Sequence, residues 1–302
     1  MSKEVLKLYA PLSGVLVPLA GVPDPVFAQK MVGDGVSIDP SSCELLAPAA
    51  GTVTMIHKSA HALTLTTDEG VEVLIHVGLD TVRLRGEGFT SLVEPGAKVK
   101  LGQPLLRFDP VLVGRKAASL LTQVLIANGE KVRSMVPATG AVVAGQGVIL
   151  TYQLAQGGGI AVDAAGATVT SDAVTLPNHS GLHARPAAMF VTAAKQFQSE
   201  IRLEHGSKSA NGRSVTAILG LGTRRGDQLR VRAQGPDAAE AAASLAELLA
   251  TGLGEDLSAG PATRIQEGPA IHKGTVRGWQ GVAASPGVAV GKAWRLRPEP
   301  GR

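Results

Sequence analysis

A chain of 302 residues is long enough for two ordinary domains, each with its own core. Its net charge of +4 sits almost wholly in residues 259–302, with 7 Lys+Arg against 2 Asp+Glu, and aromatics are only 3 % of the chain; a nucleic-acid-binding face, which needs folded basic surface and stacking rings, is therefore not expected. A single cysteine, Cys43, excludes an internal disulfide, residues 1–10 lack the continuous apolar core of a signal peptide, and no run of about 20 apolar residues could span a bilayer, so a cytoplasmic protein without membrane insertion is expected.

In chain order, residues 1–155 are rich in Val, Thr and Gly. Short alternating runs (Gly51–Ile56, His61–Thr66, Val71–Val77) predict an all-β sandwich, with one short helix around Pro110–Leu120. Residues 156–170 include Gly157-Gly158-Gly159 and read as a flexible linker. Residues 171–257 mix both periods. Ala184, Ala187, Ala188, Val191 and Ala194 recur at helical spacing, whereas Ile201 and Leu203, then Leu229, Val231 and Ala233, alternate as strands. Asp237, with Glu240 three residues on, predicts a capped final helix stopping at Gly252. This order predicts an α+β open-faced sandwich. Residues 258–276, with Gly260-Pro261 and Gly268-Pro269, form a second linker before a short piece at 277–302.

Two places carry chemistry. If Thr66 pairs with Val71 around a four-residue loop, His61 stands opposite His76, with Cβ atoms about 4.5–5.5 Å apart. Alternation then puts His61, Leu63, Leu74 and His76 on one face and Val73, Ile75 and Val77 on the core face. Such a pair suits phosphate on nitrogen: one neutral imidazole attacks and the other donates a hydrogen bond to the phosphoryl oxygens. A purely structural pair, or a zinc site without evident third and fourth ligands, fits the same spacing. The second place is Asn178-His179-Ser180-Gly181-Leu182-His183-Ala184-Arg185-Pro186-Ala187. His183 precedes the helix, Pro186 suits its first turn, and free N–H groups with Arg185 would favour an attached dianion. A helix-capping histidine beside an incidental arginine is the plain alternative.

The segments Ala10-Pro11-Leu12-Ser13-Gly14, Val22-Pro23-Asp24-Pro25-Val26-Phe27-Ala28, Val32-Gly33-Asp34-Gly35, His76-Val77-Gly78-Leu79-Asp80-Thr81-Val82 and Gly86-Glu87-Gly88-Phe89 occur in that order. Together they resemble the glucose-type enzyme IIA domain of the bacterial sugar phosphotransferase system across residues 5–155. The resemblance implies a β-sandwich, phosphorylation of His76 at Nε2, and His61 as its supporting histidine. Ser59 stands where the family usually has a threonine that orients an active-site histidine. Asp24 and Asp80 match acidic positions near the docking site and could attract Arg185. Phe27 is retained there, while His57, Leu63 and Leu74 replace phenylalanines.

Residues 171–255 resemble HPr, the small histidine phosphocarrier. This implies phosphorylation of His183 at Nδ1, with Arg185 stabilising the phosphoryl group. Ser214, after Ala210-Asn211-Gly212-Arg213, matches a serine that a dedicated kinase modifies in some HPr proteins; helix capping is its plain alternative. Trp279-Gln280-Gly281-Val282-Ala283-Ala284-Ser285-Pro286-Gly287-Val288-Ala289-Val290-Gly291-Lys292-Ala293 resembles the first strand and turn of enzyme I. The chain thus reads as the front part of a multiphosphoryl transfer protein, truncated before the domain that uses phosphoenolpyruvate. The implied function is a phosphotransferase relay: enzyme I to His183, to His76, to a sugar-specific enzyme IIB or IIBC permease, for glucose or N-acetylglucosamine. No cofactor and no metal is expected. The alternative is a regulatory binding protein whose histidine phosphorylation state controls permeases, kinases or a cyclase.

Overall fold

The computed structural model describes residues 5–155, 167–255 and 257. Linker residues 156–166, the stretch 258–276 and the piece at 277–302 that resembles enzyme I lie outside the described residues. Among the described residues no helix is long and apolar enough to cross a membrane.

The first part of the chain is β-rich. Eight antiparallel strands form one sheet in the order Gly140–Val142, Gly14–Pro18, Asp34–Pro40, Thr122–Ile126, Glu72–His76, Ala62–Thr67, Gly51–Ile56 and Lys98–Val99. Two three-stranded sheets cover it: Leu6–Tyr9, Val148–Leu154 and Val132–Pro137, then Glu44–Leu46, Pro104–Phe108 and Phe89–Ser91. Between them lies a core that includes Leu8, Ile38, Leu65, Val73, Ile75, Leu105 and Leu150, all buried. Two short helices decorate this part. Helix α1 (Pro25–Ala28) starts at Asp24, which accepts a hydrogen bond from the Val26 N–H; α2 (Pro110–Lys116) starts at Asp109 in the same way. In both, proline occupies a first-turn position whose N–H has no partner to lose.

The hairpin that carries the histidines differs from the sequence expectation by one residue. Thr67, not Thr66, closes the turn: its N–H donates to the Val71 carbonyl, leaving a three-residue loop with Gly70 at φ 80°. Loops of this length place their last residue in the left-handed region, which glycine enters without a Cβ clash. The register therefore pairs Ala62 with His76 and Leu63 with Ile75. A slip of one residue moves a side chain to the other face. Leu63 accordingly lies in the core with Val73, Ile75 and Val77, while Leu74 points to the opposite face.

The second part has one antiparallel sheet and three helices. Its strands run Thr168–Thr170, Gln228–Gln234, Glu200–His205 and Lys208–Asn211, with Val174–Thr175 also pairing to Gln228–Leu229. Thr168–Thr170, assigned to the linker by composition, is thus an edge strand. The helices are α3 (Ala184–Ala194), α4 (Val215–Gly220) and α5 (Ala238–Ala250). Ser214 caps α4 by accepting from the Ala217 N–H at 3.1 Å. Asp237 precedes α5 but makes no side-chain cap. Its carboxylate instead accepts from the backbone N–H of Gln198 and Ser199 and from the Ser199 hydroxyl, clipping the turn before Glu200–His205.

The two parts pack together. One cluster of buried apolar side chains joins Val26, Phe27, Met55, Leu74, Leu79 and Leu125 of the first part to the helix-borne core of the second. Removing such apolar faces from water is the main favourable contribution to their contact.

Candidate functional site

A cleft of about 1240 Å³ lies between the two parts, and His76 and His183 both line it. His76 is the last residue of its strand and is 7 % exposed. Its Nδ1–H donates to the Gly78 carbonyl at 2.8 Å, a bond that leaves the lone pair on Nε2. The turn that aims this carbonyl requires glycine: Gly78 has φ 73°, and a Cβ there would come within 2.8 Å of the Ser119 carbonyl oxygen. Burial, only partly offset by that hydrogen bond, pushes the His76 pKa down to about 4, so the ring is neutral and nucleophilic near pH 7.

His61 lies just before its strand, and its ring meets that of His76 edge-on, with centroids 4.9 Å apart. The sequence placed these two side by side; the structure does so through the turn before Ala62 rather than through direct cross-strand pairing. His61 is 2 % exposed, and burial holds its pKa well below the ordinary value. Ser59 Oγ is 2.9 Å from His61 Nδ1. Phe27 packs on His76 with ring centroids 5.3 Å apart.

The opposite wall comes from the second part of the chain. His183 stands at the N-cap position of α3, reached through Gly181, where φ is 70° and a Cβ would strike the Thr223 carbonyl. Its Nε2–H donates to Glu255 Oε1 at 3.1 Å, leaving the lone pair on Nδ1. Asn178 Nδ2 donates to the other Glu255 oxygen at 2.6 Å. The His183 hydrogen bond, ahead of an opposing burial effect, holds the Glu255 carboxyl below its usual value. Each histidine therefore keeps its lone pair on a different nitrogen, Nε2 in His76 and Nδ1 in His183.

Arg185 Nη2 donates to Asp24 Oδ2 at 2.8 Å, linking α3 to the cap of α1. Asp80, in the left-handed region at φ 59°, also lines the cleft. Six cations surround the histidines: Lys58, Arg83, Arg85, Arg185, Arg224 and Arg225. The acidic lining is Asp24, Asp80 and Glu255, so the cleft favours an anion. Ser214 lies away from the histidines; its Oγ is 2.9 Å from Thr216 Oγ1, which donates to the Glu72 carboxylate across the contact between the two parts.

Sequence reasoning missed Glu255 and the hydrogen-bonding role of His57. Glu255 lies 72 positions from His183, beyond the final helix, and no spacing signal connects them. His57 was visible only as an unexpected residue two positions before Ser59.

Comparisons with known proteins match both parts of the chain. Residues 6–132 match the family described as phosphoenolpyruvate-dependent sugar phosphotransferase system, EIIA 1. Residues 170–251 match the PTS HPr component phosphorylation site family. The PTS system glucose-specific EIIA component of Buchnera aphidicola is 43 % identical over 145 residues, covering 48 % of this chain and 90 % of that one. Its counterpart in Haemophilus influenzae is 41 % identical over 148 residues, covering 49 % and 89 %. The PTS system mannose-specific EIIBCA component of Corynebacterium glutamicum is 47 % identical over 128 residues, covering 42 % of this chain and 19 % of that one. With its β-rich part matched over nine-tenths of such a relative and the HPr signature behind it, the chain belongs to the EIIA 1 family of the sugar phosphotransferase system, as an EIIA domain fused to an HPr domain, and is a phosphotransferase that carries phosphoryl groups toward sugar-specific permease components.

Proposed function

We propose that His183 receives phosphate from enzyme I on Nδ1, that His76 takes it on Nε2, and that an enzyme IIB or IIBC permease then removes it for uptake of glucose or N-acetylglucosamine. One observation carries this reading: the two rings line one cleft, and their hydrogen bonds to Glu255 and to the Gly78 carbonyl leave complementary nitrogens free. In the central step the N–P bond at His183 Nδ1 breaks as the lone pair of His76 Nε2 forms the new one, and the electron pair returns to His183. The phosphoryl group is loosely bonded to both rings in the transition state, so positioning and positive donors matter more than a general base. Arg185 and His61 are the donors, Ser59 orients His61, and Asp24, Asp80 and Phe27 form the surface on which donor and acceptor meet. Ser214 is a candidate for regulatory phosphorylation, and the division into domains at 1–155 and 171–257 follows the same reading, extended to begin the second at 168.

The test is phosphate labelling from phosphoenolpyruvate with separate, complete enzyme I. Label should appear on both histidines of the wild-type chain. His183→Ala should abolish both labels, and His76→Ala should leave His183 labelled. Labelling of His76 in His183→Ala at the wild-type rate would overturn the order of the relay.

A further inference from the structure

His57, Ser59 and His61 form a hydrogen-bonded file that ends on His76. Ser59 Oγ lies 2.7 Å from His57 Nδ1 and 2.9 Å from His61 Nδ1. The rings of His57 and His61 meet edge-on at 4.5 Å, and those of His61 and His76 at 4.9 Å. Ser59 and His61 are buried, whereas His57 is half-buried at the outer end. Burial also pushes the His57 pKa down to about 4, so it enters the file neutral, with one ring proton.

A hydroxyl has one proton to give. The two Nδ1 atoms on either side of Ser59 therefore cannot both accept from it, and if both donated the buried Ser59 proton would have neither ring to go to; the fully paired arrangements have one nitrogen donating to the oxygen and the other accepting from it. If His61 is to point Nε2–H at a phosphoryl group on His76, its Nδ1 must be bare and accept from Ser59. The Ser59 oxygen must then accept from Nδ1–H of His57. In the opposite arrangement His57 Nδ1 is bare and accepts from both the Ser59 hydroxyl and the Ser59 backbone N–H, the latter at 3.3 Å. His61 then holds its proton on Nδ1, and its Nε2 lone pair repels a phosphoryl oxygen.

We propose that His57 is a positioning residue that selects, through Ser59, which ring nitrogen of His61 carries the proton, and that phosphate on His76 draws the file into the arrangement in which His57 donates. In that change the Ser59 proton passes to His57 Nδ1 and the His61 Nδ1 proton passes to Ser59. His61 Nε2 takes a proton from water and His57 Nε2 releases one, so no net charge enters the buried site. The proposal rests on the reading of His76 as the phosphate acceptor.

The experiment is nitrogen-15 NMR of the histidine rings in the full chain, before and after phosphorylation, together with phosphate transfer from His76 to enzyme IIB. In the wild type, phosphorylation should leave His61 with the proton on Nε2 alone and His57 with the proton on Nδ1. His57→Phe keeps a ring but cannot bond Ser59, whose hydroxyl is then left His61 Nδ1 to donate to; His61 should carry its proton on Nε2 already before phosphorylation, its tautomer should no longer change on phosphorylation, and transfer to enzyme IIB should be retained. His57→Asn, whose amide can either accept from Ser59 or donate to it, should keep the change of tautomer. A His61 in His57→Phe that still holds its proton on Nδ1 before phosphorylation would overturn the proposal, as would identical His61 spectra in the Phe and Asn variants. If label appeared on a residue other than His76, the phosphate-driven change would fall with the relay reading, while control of the His61 tautomer would be decided by spectra of the unphosphorylated chain.

Discussion

At the scale of single residues, the placement of one proton decides what each histidine can do. Glu255 holds it on Nε2 of His183, and the Gly78 carbonyl holds it on Nδ1 of His76. On the relay proposed above, Glu255→Gln should therefore slow charging of His183 by about tenfold, because an amide neither favours the Nε2–H form as a carboxylate does nor stabilises the positive ring formed as phosphate attaches. The measurement is the rate of labelling by enzyme I and phosphoenolpyruvate. A rate equal to that of wild type would remove Glu255 from the machinery. The histidines themselves were legible because local signals framed them: a strand end for His76 and a helix start with Arg185 and Pro186 for His183. Glu255 was not, because tertiary folding alone brings it 72 positions back to its partner.

At the scale of elements, the hairpin shows where reading by alternation stops. The strands on either side of Asp68-Glu69-Gly70 were found from their residues, but their register depended on loop length, which Gly70 fixes by adopting φ 80°. Period-two alternation is unforgiving of such an error, since every side chain on the misread strand changes face. Leu63 is the informative case. The sequence put it with the histidines on the docking face; the structure buries it at 1 % exposure in the core of the β-rich domain. Leu63→Ala should cost about 2–5 kcal/mol of folding stability, as large-to-small changes in packed cores do. Urea unfolding of the full chain, followed by a probe in the EIIA domain, measures it. A change under about 0.5 kcal/mol would return Leu63 to the surface. The Asp237 case is similar in kind: its position before a helix was readable, but its carboxylate serves another turn, and only the packing of that turn reveals the competition.

At the scale of the molecule, the described residues of the two domains share an apolar contact and polar crossings that include Arg185 to Asp24 and Thr216 to Glu72. The first crossing was readable from charge at matched positions; the second was not, because nothing in either segment indicates the other. Ser214 stands beside it. Ser214→Asp should keep the cap of α4, since aspartate caps as well as serine, yet set a carboxylate near that of Glu72. Passage of phosphate from His183 to His76 within one chain, as proposed above, should fall several-fold, with cross-domain NMR contacts at Leu74 weakened. Wild-type passage with those contacts intact would show that the crossing tolerates the charge. The docked HPr domain also has a cost for whatever follows it. It covers the very face on which Leu74 and His76 lie, so on the relay proposed above an acceptor for phosphate on His76 meets a competitor that dilution cannot remove. Its apparent dissociation constant rises by the reciprocal of the fraction of time the face is open; a face open one-tenth of the time looks like a carrier about tenfold weaker. Delivery to a permease is then governed by the duty cycle of one domain against another, and a cell making more of the protein would raise the number of gates without changing how long each stands open.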